Sequence, residues 1–352
     1  MITVQKEQFL NAIKSVKTSV GKLALQPVLS TIHLKTENGG IVLTTTDLET
    51  SSRAVCEVNA TESMDICINA NNLENIVSRL NDLITLTVDE AKVIIKSGNT
   101  KYELLYIQSE EFPKVEFNTN GESIVISKED FVNGVNKTII STSSDSGILG
   151  GVCFTFDKDG YELGATDSNR LSQVKFATPL NIEGQFVIPK KILIDVVKNV
   201  DKEIYIFLDD KTVTFQTGSC LFKQNLLTNK YPNYNQLIPK EFVNKAIIDK
   251  EELLKSLEKV SVMCDERTNI MVFNFTHDKL HLTTASENGQ AEDTIEISFD
   301  GELKVAFNYR YILEGIKVMQ SDVVEFNMNG ELNPCLINSD FNYLCMPIQI
   351  KR

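Results

Sequence analysis

Apolar residues recur at helical spacing in six stretches of the chain and alternate with polar ones between them. In 4–16, Phe9, Leu10, Ile13 and Val16 share one helical face. The arrangement returns 122 residues later at Phe131, Val132, Val135 and Thr138, and after a further 122 at Leu253, Leu254, Leu257 and Val260. The polar start recurs too, as Lys6-Glu7, Lys128-Glu129 and Lys250-Glu251. A second helical face follows each first one: Leu73, Val77 and Leu80, then Leu193, Val197 and Val200, then Ile312, Ile316 and Met319, at offsets of 120 and 119. The spacing predicts helices over 6–17, 70–81, 127–138, 189–199, 249–260 and 308–319. The intervening runs, such as GIVLTTT, VCFTF, TVTFQT and KLHLTT, alternate with period two and read as strands exposed on one face.

The chain is therefore a threefold repeat, each unit two helices packed on an antiparallel sheet, an α+β fold. Smaller marks hold the same register. Thr46-Asp47 recurs as Thr166-Asp167 and, degraded, as Ala285-Ser286; Gly98 recurs as Gly218; and the units close on Phe112-Pro113, Tyr231-Pro232 and Met346-Pro347. Boundaries near 121 and 243 give domains 1–121, 122–243 and 244–352. Three copies fill all 352 residues and leave no room for a separate catalytic domain.

Composition adds a constraint. With 35 Lys and Arg against 48 Asp and Glu the formal charge is −13, an unpromising total for a protein that grips a phosphate backbone. Split by element, the six helical segments carry 14 basic and 10 acidic residues, +4, which leaves −17 for the remainder. No stretch approaches the roughly 18 apolar residues of a membrane span, and MITVQKEQFL has no leader pattern, so a cytoplasmic location is expected. Seven scattered cysteines without a C-x-x-C read as reduced, mostly buried side chains.

Catalytic patterns are sparse. His277 and His281 flank a hairpin turn, and two ligands do not make a metal site. The serine-rich STSSDSG (141–147) lacks a nearby histidine and a nucleophile elbow. No phosphate-cradling loop occurs, and the carboxylates are dispersed. No metal, cofactor or catalytic residue is expected.

Four segments carry a resemblance: TDLE (46–49), ATDSNRLS (165–172), YPNYNQLIPK (231–240) and MPIQI (346–350). With the threefold repeat, they resemble the bacterial DNA polymerase III beta subunit, the DNA sliding clamp family, over the full length. The resemblance implies a DNA clamp fold of three repeated clamp domains. Two such chains would join head to tail into a homodimeric ring that encloses duplex DNA and tethers a polymerase without an active site of its own. DNA-facing residues would be Lys6, Lys14, Lys22, Arg79, Lys128, Lys137, Lys190, Lys191, Lys198, Lys250, Lys255, Arg310 and Lys317. Lys22 precedes Leu23, which stands where the family often has a DNA-facing arginine. The dimer interface would join Lys101, Tyr102 and Tyr106 to Val262, Met263, Glu292, Asp293 and Glu296, the edges 101–107 and 291–299.

A cleft for partner peptides, from the polymerase, the clamp loader and repair proteins, would be lined by Leu149, Thr166, Asp167, Arg170, Leu171, Pro239, Leu344, Met346, Pro347 and Ile348. Ser168-Asn169 and Gln349 depart from the family pattern and bear on the peptides accepted. Two alternatives stay open: a diverged clamp-fold paralogue with another partner, and an enzyme with a site assembled between domains.

Overall fold

The computed structural model describes residues 1–21, 26–145, 147–180 and 182–349. Among the described residues six α-helices form: α1 (Lys6–Lys17), α2 (Ala70–Val77), α3 (Lys128–Thr138), α4 (Lys190–Asn199), α5 (Lys250–Ser261) and α6 (Tyr309–Lys317). Each starts where a strand ends. The first helix of every repeat is tied at its start by the same backbone bond, Lys6 N–H to Asp82 O (2.7 Å), Lys128 N–H to Lys202 O (2.9 Å) and Lys250 N–H to Asp322 O (2.9 Å). Side-chain caps differ: Asn69, Asp249 and Asn308 accept from Asn72, Glu252 and Arg310 N–H, whereas α1 follows Gln5 with no side-chain cap. Glu7 in the first turn of α1, with Lys14 and Lys17 in the last, suits the helix dipole. α2 ends at Val77, earlier than the periodicity predicts, because Arg79 and Leu80 N–H bond three residues back; Leu80 stays buried.

The strands of the described residues form four antiparallel sheets. One has five strands in the order Asn59–Ala60, Ile2–Gln5, Leu83–Asp89, Lys92–Ser97, Thr100–Leu105. Another has four, Gly289–Glu296, Lys279–Ser286, Ile270–Thr276, Leu303–Asn308. The other two cross repeat boundaries. In a nine-stranded sheet, Thr50–Glu57 of the first repeat pairs with Cys220–Asn225 of the second. In an eight-stranded sheet, Arg170–Phe176 of the second repeat pairs with Asn342–Cys345 of the third. Each repeat thus contributes to two sheets.

The chain divides into two compact units, one of Met1–Phe131 with Lys191–Leu226, the other of Val132–Lys190 with Leu227–Arg352. The first has a core of Phe9, Ile13 and Val16 from α1, Leu73 and Val77 from α2, and inward strand residues such as Leu34, Leu43, Leu86 and Ile95. In the second, Leu253, Leu257 and Val260 from α5 and Ile312 and Ile316 from α6 close over Phe273, Phe275, Phe307 and Phe326. Among the described residues no helix is long and apolar enough to cross a membrane.

Candidate functional site

The Thr-Asp signature is a turn device. Asp167 Oδ1 accepts from the N–H groups of Asn169 and Arg170, both at 3.0 Å, and Thr166 Oγ1 donates to Arg170 O at 2.7 Å. Ser168 is forced to φ +77°. Asp47 and Leu48 do the same in the first repeat, with Leu48 at φ +76°. The signature therefore marks a hairpin in both repeats, but the residues after it differ. After Asp167 comes Arg170, whose Nε donates to Asp167 Oδ2 at 3.0 Å, whose guanidinium lies 4.3 Å from the Tyr311 ring centre, and which also pairs with Glu314. This fixes a positive charge beside the hairpin at little entropic cost.

Next to it, Leu171 stands opposite Leu344 across the repeat seam. Both belong to an apolar cluster with Cys153, Val187, Tyr231, Tyr234 and Leu336, rimmed by half-buried Ile148, Leu149, Leu227, Ile238 and Phe242. At 2% and 3% exposure, Leu171 and Leu344 lie beneath that rim. Thr166 N–H donates to the Tyr231 hydroxyl at 3.0 Å. Met346 is 39% exposed and its N–H donates to Asn169 O at 2.8 Å, while Ile348 N–H donates to Ala306 O at 2.7 Å, so the tail runs beside the hairpin. Pro239 and Pro347 are half-buried nearby in sequence. Ile148, Tyr231, Tyr234, Ile238 and Phe242 escape sequence reasoning as site residues. The YPNY spacing signals two of them: Tyr231 and Tyr234 meet edge to face with ring centres 6.0 Å apart.

The basic residues of the helices separate. Lys14, Lys128, Lys198 and Arg310 are exposed, and Lys255 and Lys317 are exposed while paired with Glu251 and Glu258. Lys191 pairs with Asp47 at 2.6 Å. Lys6 is half-buried, Arg79 donates to Asn75 O at the end of its own helix, and half-buried Lys250 donates to Met319 O. Lys190 sits near Arg170 and Glu314: burial first, then the Arg170 charge, lowers its pKa against the pull of Glu314. Lys137 leaves the DNA-facing set altogether, being 2% exposed and paired with Asp340. Lys22 lies outside the described residues.

Both expected edges are open sheet edges, Thr100–Leu105 and Gly289–Glu296. The pleat sorts their side chains. Tyr102, Leu104 and Tyr106 pack on one core, and Ala291 and Ile295 on the other, while Lys101, Glu292 and Glu296 are exposed. Asp293 does not join the outward acids. It turns toward α5 and pairs with Lys259 at 3.2 Å; burial opposes its charge, and the donors around it, Lys259 among them, hold it below the usual carboxylate range. Two apolar side chains at these edges stand in solvent, Val262 at 79% and Leu105 at 75% exposure; Leu105 is missed by the sequence reading.

Elsewhere the chemistry is structural. His277 faces Asp300 and His281 faces Thr294, so the pair does not converge. Ser141 of the serine-rich loop is buried against Ser172 (2.7 Å). Among the described residues no group of three His, Cys, Asp or Glu could hold a metal ion.

Three domain models match the chain: the DNA polymerase III beta subunit N-terminal domain at 1–116, its central domain at 125–233 and its C-terminal domain at 235–349. The beta sliding clamp of Synechococcus elongatus is 28% identical, with 99% of each chain covered. Among solved structures, the sliding clamp of Bartonella birtlesii bound to griselimycin superposes with a TM-score of 0.94 at 27% identity, 99% of each chain covered. That of Pseudomonas aeruginosa bound to griselimycin gives 0.93 at 23%, with the same coverage. Matched along almost its full length by all three domains of one family, the chain belongs to the DNA polymerase III beta subunit family, the non-catalytic beta sliding clamps.

Proposed function

We propose that two copies of this chain close head to tail into a ring around duplex DNA, hold it by enclosure, and recruit the polymerase and other partners through the cleft beside Arg170. The supporting observation is a repeated pairing register. Across the first seam Ser52 stands opposite Phe222, and across the second Ser172 stands opposite Tyr343. The hairpin alignments of Thr217 with Cys220 and of Ser97 with Thr100 make Tyr102 the counterpart of Phe222. Those of Thr166 with Leu171 and of Ala285 with Gln290 make Ala291 the counterpart of Ser172. Pairing the two open edges between copies then sets Ala291 against Tyr102, again small against aromatic, and Glu292 against Lys101 on the exposed face. The small/aromatic pattern persists at edges that are unpaired within one chain.

The side chains behind the seams change in the sense this needs. Ser19 and Ser52 share a hydrogen bond at 2.6 Å, as Ser141 and Ser172 do at 2.7 Å. The third repeat has Met263 and Ala291 at these positions. An apolar pair suits a contact assembled from solution, where a lone hydroxyl would be desolvated without a fixed partner.

Exposed Lys14, Lys128, Lys198 and Arg310 give weak, sequence-independent attraction to phosphates, and the acidic remainder discourages binding elsewhere. Strong binding would impede sliding. A clamp at work on the chromosome is expected in the cytoplasm. The cleft takes short peptides by apolar burial on its rim, with Arg170 and the hairpin fixing orientation. Sizing tests the assembly: a stable species near twice 39.5 kDa supports it, and a monomer at micromolar concentration contradicts it.

A further inference from the structure

We propose that Glu162 is a positioning residue for the cleft, acting through Tyr234 on the segment that carries Ile238 and Pro239; the inference rests on the cleft function proposed for this chain. Glu162 and Gly164 alternate with Leu163, which faces Gly134 of α3, so they lie on the sheet face away from that helix. The Glu162 side chain is only 14% exposed. Its Oε1 accepts from the Tyr234 hydroxyl at 2.8 Å and its Oε2 from Gln173 Nε2 at 2.9 Å. Gln173 Nε2 also reaches Asn235 Oδ1 at 2.7 Å, and Gln173 Oε1 accepts from Asn342 Nδ2 at 3.0 Å. A connected, partly buried network thus runs from the C-terminal strand across the repeat seam to the short helix Tyr234–Leu237.

The tyrosine has a built seat. A Cβ at position 164 would lie 2.2 Å from the Tyr234 ring, so only glycine lets the ring lie on the strand. Burial, then the Glu162 charge, keeps the phenol neutral and hence a donor. Directly after this anchor, Ile238 and Phe242 pack on the cluster with Leu171 and Leu344. The corresponding linker in the first repeat is held differently, with Arg53 4.6 Å from the Phe117 ring centre and Lys223 donating to Glu116 O. The carboxylate anchor thus belongs to the linker that borders the cleft. Fixing the rim before the ligand arrives spares the cost of ordering it on binding.

The test measures griselimycin, the ligand held by two solved relatives, binding to the full chain, to Tyr234→Phe, Glu162→Ala and Glu162→Gln, and to a chain ending at Cys345. Tyr234→Phe keeps the ring on Gly164 and loses only the hydroxyl. It is expected to weaken binding roughly five- to tenfold through faster release, with faster hydrogen exchange confined to 235–242. Glu162→Ala is expected to lose at least as much, Glu162→Gln to recover most of it by keeping an oxygen for Tyr234, and Tyr234→Phe to add nothing on top of Glu162→Ala. If Glu162→Ala fails to fold, Tyr234→Phe alone decides. Binding lost on truncation but unchanged in Tyr234→Phe overturns the inference and leaves the cleft standing. Binding that survives truncation, or that is absent from the full chain, overturns the cleft function and this inference with it.

Discussion

Lys137, on the inner side of α3, is closed into an ion pair with Asp340, and its ammonium lies 5.5 Å from the centre of the Phe341 ring. The position recurs in every repeat with a different fate. Ser15 is buried and bonds back to Ala12 O, while Lys259 is exposed and pairs with Asp293. Asp340 is exposed and stays solvated without the ammonium, so Lys137→Ala is expected to cost about 1–2 kcal/mol of stability, from the lost pair and the buried stem of the lysine. The salt dependence of DNA association should not change. Lys14→Ala and Lys198→Ala should do the reverse, leaving stability within about 0.5 kcal/mol and lowering the salt slope. Thermal melts and DNA association at several salt concentrations check both halves.

That contrast bounds what the sequence makes legible. The helices and their threefold register can be read directly, because helical periodicity is local and three copies reinforce one another. A basic residue's destination cannot: Lys137 and Lys14 look alike on a helical wheel, and Asp340 lies some 200 residues away. Sheets shared between repeats are hidden for the same reason, since the pairing of Arg170 with Cys345 is set by tertiary closure. The motifs of the proposed cleft are visible, but the burial of Leu171 and Leu344 is not, and the tyrosines behind YPNY become meaningful only once Gly164 is seen beneath a ring.

The proposed register is open to charge reversal. Glu292→Lys should weaken the dimer a few-fold at low salt and less at high salt, because the facing groups are exposed and Lys101 already has Glu103 at 2.6 Å. Adding Lys101→Glu should restore it. Ala291→Trp, which fills the place opposite Tyr102, should dissociate the dimer at all salt concentrations. Sedimentation at two ionic strengths distinguishes these outcomes, and an Ala291→Trp dimer of native strength would refute the register.

Asp195 carries a pH prediction. It is buried on α4, and burial raises its pKa above the ordinary value against the pull of Thr18, Lys191 and Lys198. An acid that holds its proton more tightly folded than unfolded stabilises the fold fully below its unfolded pKa. That contribution is lost as pH rises through the folded value. Asp195→Asn should therefore be more stable at pH 7, and the gain should shrink as pH falls toward about 4. Denaturant melts at pH 7, 5 and 4 measure it.

The thiols should be inert in the native protein. Burial pushes Cys67, Cys153 and Cys345 up to about 12 and Cys56 up to about 11, and Cys335 higher than its ordinary value. Only Cys220 and Cys264 are partly accessible. A disulfide reagent at pH 8 should modify those two, with the other five reacting only on unfolding. Mass spectrometry after timed labelling reads the sites, and rapid native labelling of Cys153 would contradict the packing of the cluster that holds Leu171 and Leu344.

Enclosure, rather than grip, is the central claim, and retention on DNA of defined topology measures it most directly. The chain is loaded by the clamp loader onto a nicked circular duplex, washed at high salt, and the circle is then cut once. The protein should stay through the wash and leave when the circle is opened. Release by salt from the intact circle, or equal retention on linear DNA with free ends, would contradict it.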